Sequence, residues 1–363
     1  MKKLFLAMTM AVLCTLAVTA QKKRVATTGG GNKFAVLRMN ELKDLNQGPT
    51  KVFFVAMYDG NKVYALDKKT GAVTVMLGEN NDDSRPEVTS VCETADGRIL
   101  VATDDATYEW SGSSLATSKL LLNSGGLLRL SPNGKYLAVG SQVYNAKNMS
   151  RISYCDETLG SYNEGLCVDD FGNVWGVYGG GLRYVRPGSN EAHRAEGQWF
   201  SDFSVGNVQY NPLDSMVYAT AGPNVLATPA QNPGAWRQVA QGDKQFRGQL
   251  ARFAISPKGD FVMAKRNEYE APFLTTFSGG LDKQPTTSAR IATGIPIATS
   301  YNQERRYELA GDAHKLMIDE QGNLIVHLSS NYSYYTTIIY NPGGIKGYAA
   351  LVGKAYDVNA SKK

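Results

Sequence analysis

The stretch "NEGLCVDDFGNVWGVYGGGLRYV", residues 163–185, reads as strand, tight turn, strand, Gly-rich break, strand. Its apolar runs are too short for helices. Asp, Gly and Asn separate them, and these residues tolerate the positive φ of tight strand connections. Two explanations compete for such a stretch: a metal loop built on its acids, or one unit of a repeating scaffold. The rest of the chain decides between them, because the same grammar recurs.

Five further segments carry it: "SVCETADGRILVAT", "LLRLSPNGKYLAVG", "VQYNPLDSMVYAT", "FAISPKGDFVMAK" and "LMIDEQGNLIVHL". The six turns fall at Gly97, Gly134, Gly172, Asp214, Gly259 and Gly322. The early spacing is about forty residues, the period of a four-stranded propeller blade. The last spacing is longer, so an insertion is expected within about residues 293–312. After each pair comes a third strand, such as "ATYEW", "QVYN" or "GLRYV", and then an outer one, such as "RISYC" or "WRQVA". "DGNKVYALDKKTGAVTVML" has the form of the outer half of a first blade, with "KFAVLRMN" and "KVFFVAMY" as its inner strands. At the far end, "YYTTIIYNPGG" and "YAALVGKAYDV" supply the last two strands of the final blade. The chain is therefore read as all-β, a single propeller of seven four-stranded blades over residues 33–356, with six or eight left open by the insertion. A pair of β-sandwiches would have recurring turns but not the same text at so regular an interval.

The ends read differently. Residues 1–20, "MKKLFLAMTMAVLCTLAVTA", have a basic start, an apolar run and a small-residue finish, the pattern of a secretory signal peptide. Lipidation at Cys14 is the weaker alternative, because Leu13 precedes it where a lipoprotein signal wants a small residue. Residues 21–32 are expected to be a flexible segment and 357–363 a tail. Of the formal charge of +5, two units belong to Lys2 and Lys3. The rest is too weak and too scattered to argue for nucleic acid. No other segment is apolar for long enough to span a bilayer as a helix. Cys92, Cys155 and Cys167 remain after cleavage, an odd set with no Cys-x-x-Cys, so at least one thiol is expected to lack a partner in the same chain. Cys92 and Cys167 each stand five residues before a turn glycine, as matching inward positions on two repeats.

The opening stretch resembles a blade of the senescence-marker/gluconolactonase propellers, and of the NHL-type and streptogramin-lyase-type propellers. In the lactonases an acidic residue just before the Gly of this blade is a ligand of a divalent cation, and the matching residue is Glu164. The resemblance thus implies calcium or a similar ion that would polarise a lactone carbonyl and activate water. The remaining ligands do not follow. Gly125 and Gly126 stand where that family has an Asn-Gly pair, and its early glutamate motif is absent. One carboxylate does not hold a cation, so no metal ligand is assigned and no cofactor is expected. The lyase-type propellers use a histidine near the channel. His314 lies eight residues before Gly322, as Glu164 lies eight before Gly172, so the two are candidates for acid and base chemistry across the channel mouth. The bland alternative is a hydrogen-bonding residue at each loop–strand junction. His193 and His327 are read as solvated and structural.

Loops between second and third strands should share one face of the disc. They bring Asp104, Asp105, Gln142 and Tyr178 to its rim, with "KRNEYEAP" adding Arg266, Asn267, Glu268 and Tyr269. "NYSYY" adds Asn331 and Tyr332, and Asn163 and Arg252 are the remaining binding candidates at inner-strand starts. "GQWFSDF" offers further aromatics that could stack on a sugar or grip a peptide; packing between blades is the competing use of any one of them. "GENNDDSRPE" lacks the ligand spacing of a calcium loop. The two Gly-Gly-Gly runs open no helix, and Gly-x-Ser-x-Gly does not occur. The expected function is binding: an exported propeller whose axial face recognises a glycan, peptide or protein. A hydrolase or lyase at the channel mouth, and a docking subunit of an envelope or secretion assembly, are the alternatives.

Overall fold

The computed structural model describes residues 35–40, 51–56, 62–68, 73–77, 87–157, 159–160, 165–241, 252–265, 273–283, 287–290, 312–330, 334–340, 348–352 and 355–361. Apart from one five-residue helix, α1 (Gln198–Asp202), the regular elements among them are strands. They form seven antiparallel sheets, the blades of a β-propeller. The chain enters with β1 (Ala35–Asn40). The first blade takes β2 (Lys51–Ala56), β3 (Val63–Asp67) and β4 (Val73–Leu77). The second is β5 (Val88–Glu93), β6 (Ile99–Thr103), β7 (Thr107–Glu109) and β8 (Lys119–Leu122); the third is β9 (Leu128–Leu130), β10 (Tyr136–Val139), β11 (Gln142–Asn145) and β12 (Arg151–Ser153). The fourth holds β13 (Leu166–Val168), β14 (Val174–Tyr178), β15 (Gly181–Val185) and β16 (His193–Arg194); the fifth holds β17 (Val205–Asn211), β18 (Met216–Ala221), β19 (Asn224–Pro229) and β20 (Arg237–Gln241). The sixth is β21 (Arg252–Ile255), β22 (Phe261–Lys265), β23 (Phe273–Phe277) and β24 (Thr287–Arg290). The seventh is β25 (Asp312–Ile318), β26 (Leu324–Ser330), β27 (Tyr334–Tyr340) and β28 (Tyr348–Val352), and β29 (Ala355–Ala360) completes the first. Neighbouring blades touch through their first strands, which therefore line the axis.

The first hairpin of each repeat explains its sequence. The turn glycine takes a left-handed φ between 72° and 86° at Gly97, Gly134, Gly172, Gly259 and Gly322. In the fifth blade the turn is one residue longer, and Ser215, not Asp214, holds the positive φ, at 57°. Three residues before each glycine stands a short side-chain acceptor that closes the hairpin. Ser131, Ser256 and Thr94 accept the amides of Tyr136, Asp260 and Arg98 at 3.0, 3.0 and 3.1 Å. Asp169 accepts the amides of Phe171 and Asn173 at 3.0 and 2.9 Å, and the Trp175 indole N–H at 2.9 Å. Burial pushes the Asp169 carboxyl up, against the pull of those donors. The polar turn and the core are one unit here: Trp175 is fully buried, stacks on Tyr184 at 4.7 Å and packs among Phe200 and Tyr210 between the fourth and fifth blades. A Cβ on its neighbour Gly176 would fall 1.9 Å from the Leu159 carbonyl oxygen, so only glycine fits there.

Both chain ends depart from the sequence expectation. Residues 35–40 were expected to form the innermost strand of the first blade. They instead pair antiparallel with β28, as a fifth, outermost strand of the seventh. The inner place in the first blade goes to β29, where Val52 faces Ala360 and Val55 faces Asp357. The domain thus runs past residue 356 to Ala360, through most of the expected tail. The text "YAALVGKAYDV" supplies only one strand to the final blade, and its second half crosses to the first. Closing a sheet with strands from both ends ties the termini together and leaves no open seam in the ring. The seam is packed by Val52, Phe54, Leu66, Ile325, Ile339 and Val358. It also holds a buried ion pair, Lys68 with Asp319, both side chains at 0% exposure, with Gln321 Oε1 accepting from the same amine at 2.7 Å. The aromatics of "GQWFSDF" serve packing: Phe200 is buried, and Trp199 and Phe203 lie against the same cluster.

Asp319→Ala should destabilise the protein by about 3–5 kcal/mol in denaturant titration, since it strands a buried ammonium; a loss under about 1 kcal/mol would contradict this account of the seam. Cys92, Cys155 and Cys167 are free thiols. Thiol titration of the denatured, unreduced chain lacking residues 1–20 should therefore count all three, and a count of one would mean a disulfide.

Candidate functional site

The first strands enclose an axial cavity of about 260 Å³. Strands β9, β13, β17, β21, β25 and β29 all contribute to its wall. In the repeat frame the polar lining residues of the first strands recur at two levels, seven and five residues before the turn, with apolar residues such as Leu166, Val208 and Leu316 between them. Leu127, Gly165, Asn207, Arg252 and Lys315 make up the first rung, and Arg129, Cys167, Gln209 and Met317 the second.

At the centre lies Asp357, on the closing strand β29, with its side chain 2% exposed. Arg129 of the third blade grips it with both nitrogens, Nη1 to Oδ2 at 2.9 Å and Nη2 to Oδ1 at 3.0 Å. Lys315 of the seventh blade donates to Oδ1 at 2.6 Å and to the Val358 carbonyl at 2.5 Å. Ser90 of the second blade and Asn359 add donors to Oδ2, at 2.5 and 2.8 Å, and the Val358 amide donates to Oδ1 at 3.0 Å. One carboxylate thus collects groups from four blades. Burial opposes its charge, but Arg129 and then Lys315 hold the carboxyl down at about 2. The amine moves the other way. Burial and then the Arg129 charge lower Lys315 to about 8, more than Asp357 restores.

Elsewhere neutral amides join the blades. Gln209 of β17 donates to the Phe253 carbonyl at 2.6 Å and accepts from the Ile255 amide at 3.1 Å, as a strand backbone would. Asn207 donates to the same carbonyl at 2.7 Å, and Asn359 reaches the Val91 carbonyl at 2.8 Å. Cys167 also faces the cavity. Burial, and then Asp169, push its thiol up, so it is a poor nucleophile. His327 of β26, opposite Lys315 in register, is buried in the wall.

Of the candidates read from sequence, Arg252 is brought to this cavity. Tyr178 is exposed at the β14–β15 turn, with the Arg183 guanidinium 5.8 Å from its ring centre, and Arg183 also pairs with Glu157. Asp104, Asp105 and Gln142 lie at second-to-third strand connections, as expected. There Asp105 accepts from Thr103 at 2.8 Å and Gln142 from Tyr144 at 2.6 Å. His314 sits in β25, at the register irregularity between Ala313 and Lys315. Asn163, Glu164, Arg266, Asn267, Glu268, Tyr269, Asn331 and Tyr332 lie outside the described residues. The calcium expectation rests on Glu164 and lies there with it. Among the described residues no group of three His, Cys, Asp or Glu could hold a metal ion, and no helix is long and apolar enough to cross a membrane. Arg129, Asn207, Gln209, Lys315 and Asp357 were missed. Their signal is a polar residue at one parity in otherwise apolar inner strands.

No known family's sequence profile matches the chain, and no curated protein matches it in sequence. Solved structures match it in fold. It is similar to YCF48 bound to D1 peptide, with TM-score 0.50 and 11% identity over 91% of this chain and 97% of that one. A chain of the mitotic checkpoint complex matches at TM-score 0.50 and 13% identity, over 92% and 95%. The WD40 propeller domain of Doa1 lies at 0.49 and 11%, over 90% and 98%. The first two likenesses agree with the β-propeller fold that the sheets form.

Asp357→Asn should cost about 3–5 kcal/mol at neutral pH, because two cations lose their counter-charge. The carboxyl's folded value of about 2 lies below its ordinary 3.8, so its contribution is complete above 3.8 and lost as the pH falls through 2. Lys315 titrates lower when folded, near 8 against 10.5, so the unfolded chain binds the extra proton. Stability should therefore rise between pH 8 and 10.5 relative to Lys315→Met. A parallel pH profile for the two proteins would contradict it.

Proposed function

We propose that this chain is an exported recognition propeller whose axial cavity receives part of a peptide or protein partner. The observation that carries the proposal is the cavity itself: inner strands of six blades converge on one space whose wall sets a few polar and charged groups among apolar ones. At about 260 Å³ it has the volume of roughly nine waters at ~30 Å³ each, enough for one or two side chains and too small for a domain. A partner would therefore insert a short element and spread the rest over the rim, where Tyr178 is exposed beside the half-buried Arg183.

Export is inferred from residues 1–20 alone, whose pattern is that of a cleaved leader. A peptide or protein suits the lining better than a glycan does. Tyr210 is the one phenol, indole or phenyl ring among the described lining residues, and sugar sites rely on such rings for stacking. The solved propellers of like fold include one holding a peptide and one within a multi-protein complex; identities of 11% and 13% carry the frame and not the partner. Rigid frames with variable rims support such roles repeatedly.

Peptide display against the chain lacking residues 1–20 tests this. Peptides selected on the wild type should bind at least about fivefold more weakly to Leu130→Trp, which fills the cavity from β9. Selected peptides that bind the filled variant equally well, or no selection at all, would remove the cavity from the proposal. A melting temperature within a few degrees of wild type shows that the variant is folded.

A further inference from the structure

We infer that the outer edge of the first blade, strand β4, is a pairing surface for the β4 of a second copy of this chain. No residue of β4 lines the axial cavity, so this surface is independent of the recognition role above. The outermost strand of a blade presents a row of backbone N–H and C=O groups with no partner strand, and such an edge invites another chain to pair with it. A charged side chain on the strand is a common guard against that. Six of the seven outermost strands carry one: Arg38 on β1, Lys119 on β8, Arg151 on β12, Arg194 on β16, Arg237 on β20 and Arg290 on β24. The seventh, β4, reads Val-Thr-Val-Met-Leu and carries none.

The seventh blade shows how the fold treats an uncharged edge. Its fourth strand, β28, reads Tyr-Ala-Ala-Leu-Val, and β1 covers it, with Arg38 opposite Ala350. That blade takes a guarded edge from its own chain. Among the described residues no strand covers β4. Its Val75 is 54% exposed, a β-branched residue on an open edge, and Thr74 beside it is exposed too. Leu120, at the equivalent place on β8, is 50% exposed but directly follows Lys119. The register irregularity at Met76 does not set β4 apart, because β8, β12 and β20 have matching ones. The missing charge does. It also favours a second copy as the occupant. An antiparallel pair about a two-fold axis sets a strand against itself, so each of the other six would bring its cation towards the same cation of the copy. Two β4 strands oppose no like charges and set valine near valine, a pairing that sheets favour. Each copy has one such edge, so the pair is closed and stops at two.

Sedimentation velocity of the chain lacking residues 1–20, run over a concentration series, tests this. It should show a reversible monomer–dimer equilibrium. Val75→Lys should raise the dissociation constant at least about tenfold, because like charges then face each other in the ladder. Val75→Thr keeps the strand β-branched and uncharged, and should stay within about threefold of wild type. Leu120→Lys, on the next blade, should leave the constant unchanged. The backbone amides of residues 73–77 should exchange hydrogen more slowly at dimer concentrations in wild type but not in Val75→Lys. A wild-type chain that stays monomeric throughout overturns the proposal, and so does a dimer that Val75→Lys leaves intact. Assembly that grows beyond two overturns the closed pair. A dimer lost as fully with Val75→Thr as with Val75→Lys, without slowed exchange in wild type, overturns strand pairing in favour of a side-chain contact. Should Val75→Lys fail to fold, the concentration dependence of exchange at residues 73–77 in wild type decides alone. The peptide selection on the axial cavity stands or falls separately from each of these results.

Discussion

The Asp357 carboxylate sits on the last strand of the chain and neutralises cations from two other blades. Arg129 lies 228 residues before it in sequence and Lys315 lies 42 before it. Until β29 has docked into the first blade, neither cation has its counter-charge. The same docking completes the apolar seam of Val52, Phe54, Leu66, Ile325, Ile339 and Val358. It brings the seventh blade against the first, where Lys68 meets Asp319 across 251 residues. Ring closure is therefore geometric and electrostatic at once. Contacts of such long sequence separation form late and favour all-or-none folding, because loop-closure entropy is lost before they form. The ion pairs add little net stability against a hydrophobic alternative, but breaking one is costly, so they act against partly closed rings.

The repeat was legible because its determinants are local. A short acceptor, two or three turn residues and a left-handed glycine make a hairpin wherever they occur, and the text recurs in six blades. The acceptor three residues before each glycine shows how the spelling varies while the physics stays constant: Thr94, Ser131, Asp169, Ser256 and Asp319 all close their turns by hydrogen bonding to backbone amides. The chain ends were misread because strand pairing is not local. Residues 35–40 and 355–360 are both short apolar strands, and nothing in either text says which sheet edge it will meet. Position in the chain suggested that the first strand begins the first blade. The ring gives that place to the last strand, and the first strand extends the far blade as a fifth.

The cavity was half legible, and the reason is parity. Glu164 and His314 were singled out at eight residues before the turn, where an inner strand begins. The polar residues that first strands of the repeats bring to the cavity stand seven and five before it. Arg252, at seven, was named and does reach the cavity. Arg129, at five, and Lys315, at seven, carry the same pattern but were not singled out. Asp357 carries no turn offset at all, because its strand belongs to no first hairpin. It becomes visible only once the ring is closed.

Polar residues in an axial wall have two separable uses, and this wall contains both. Gln209 satisfies a carbonyl and an amide of the next blade with a neutral group, and Asn359 does the carbonyl half of the same task. That joins blades without any burial of charge. A charged residue at the same level can join blades too, as Lys315 does through the Val358 carbonyl, but it brings a desolvation cost. Asp357 offsets that cost for Arg129 and partly for Lys315, whose amine remains easier to deprotonate than a solvated one. A ring selected for stability alone would favour amides or aliphatics on that rung, as Asn207 and Leu127 illustrate on neighbouring blades. Local rules are broken most often where a site has work beyond folding. The buried charges of the axial wall, Asp357 with Arg129 and Lys315, are the place in this propeller where that principle applies.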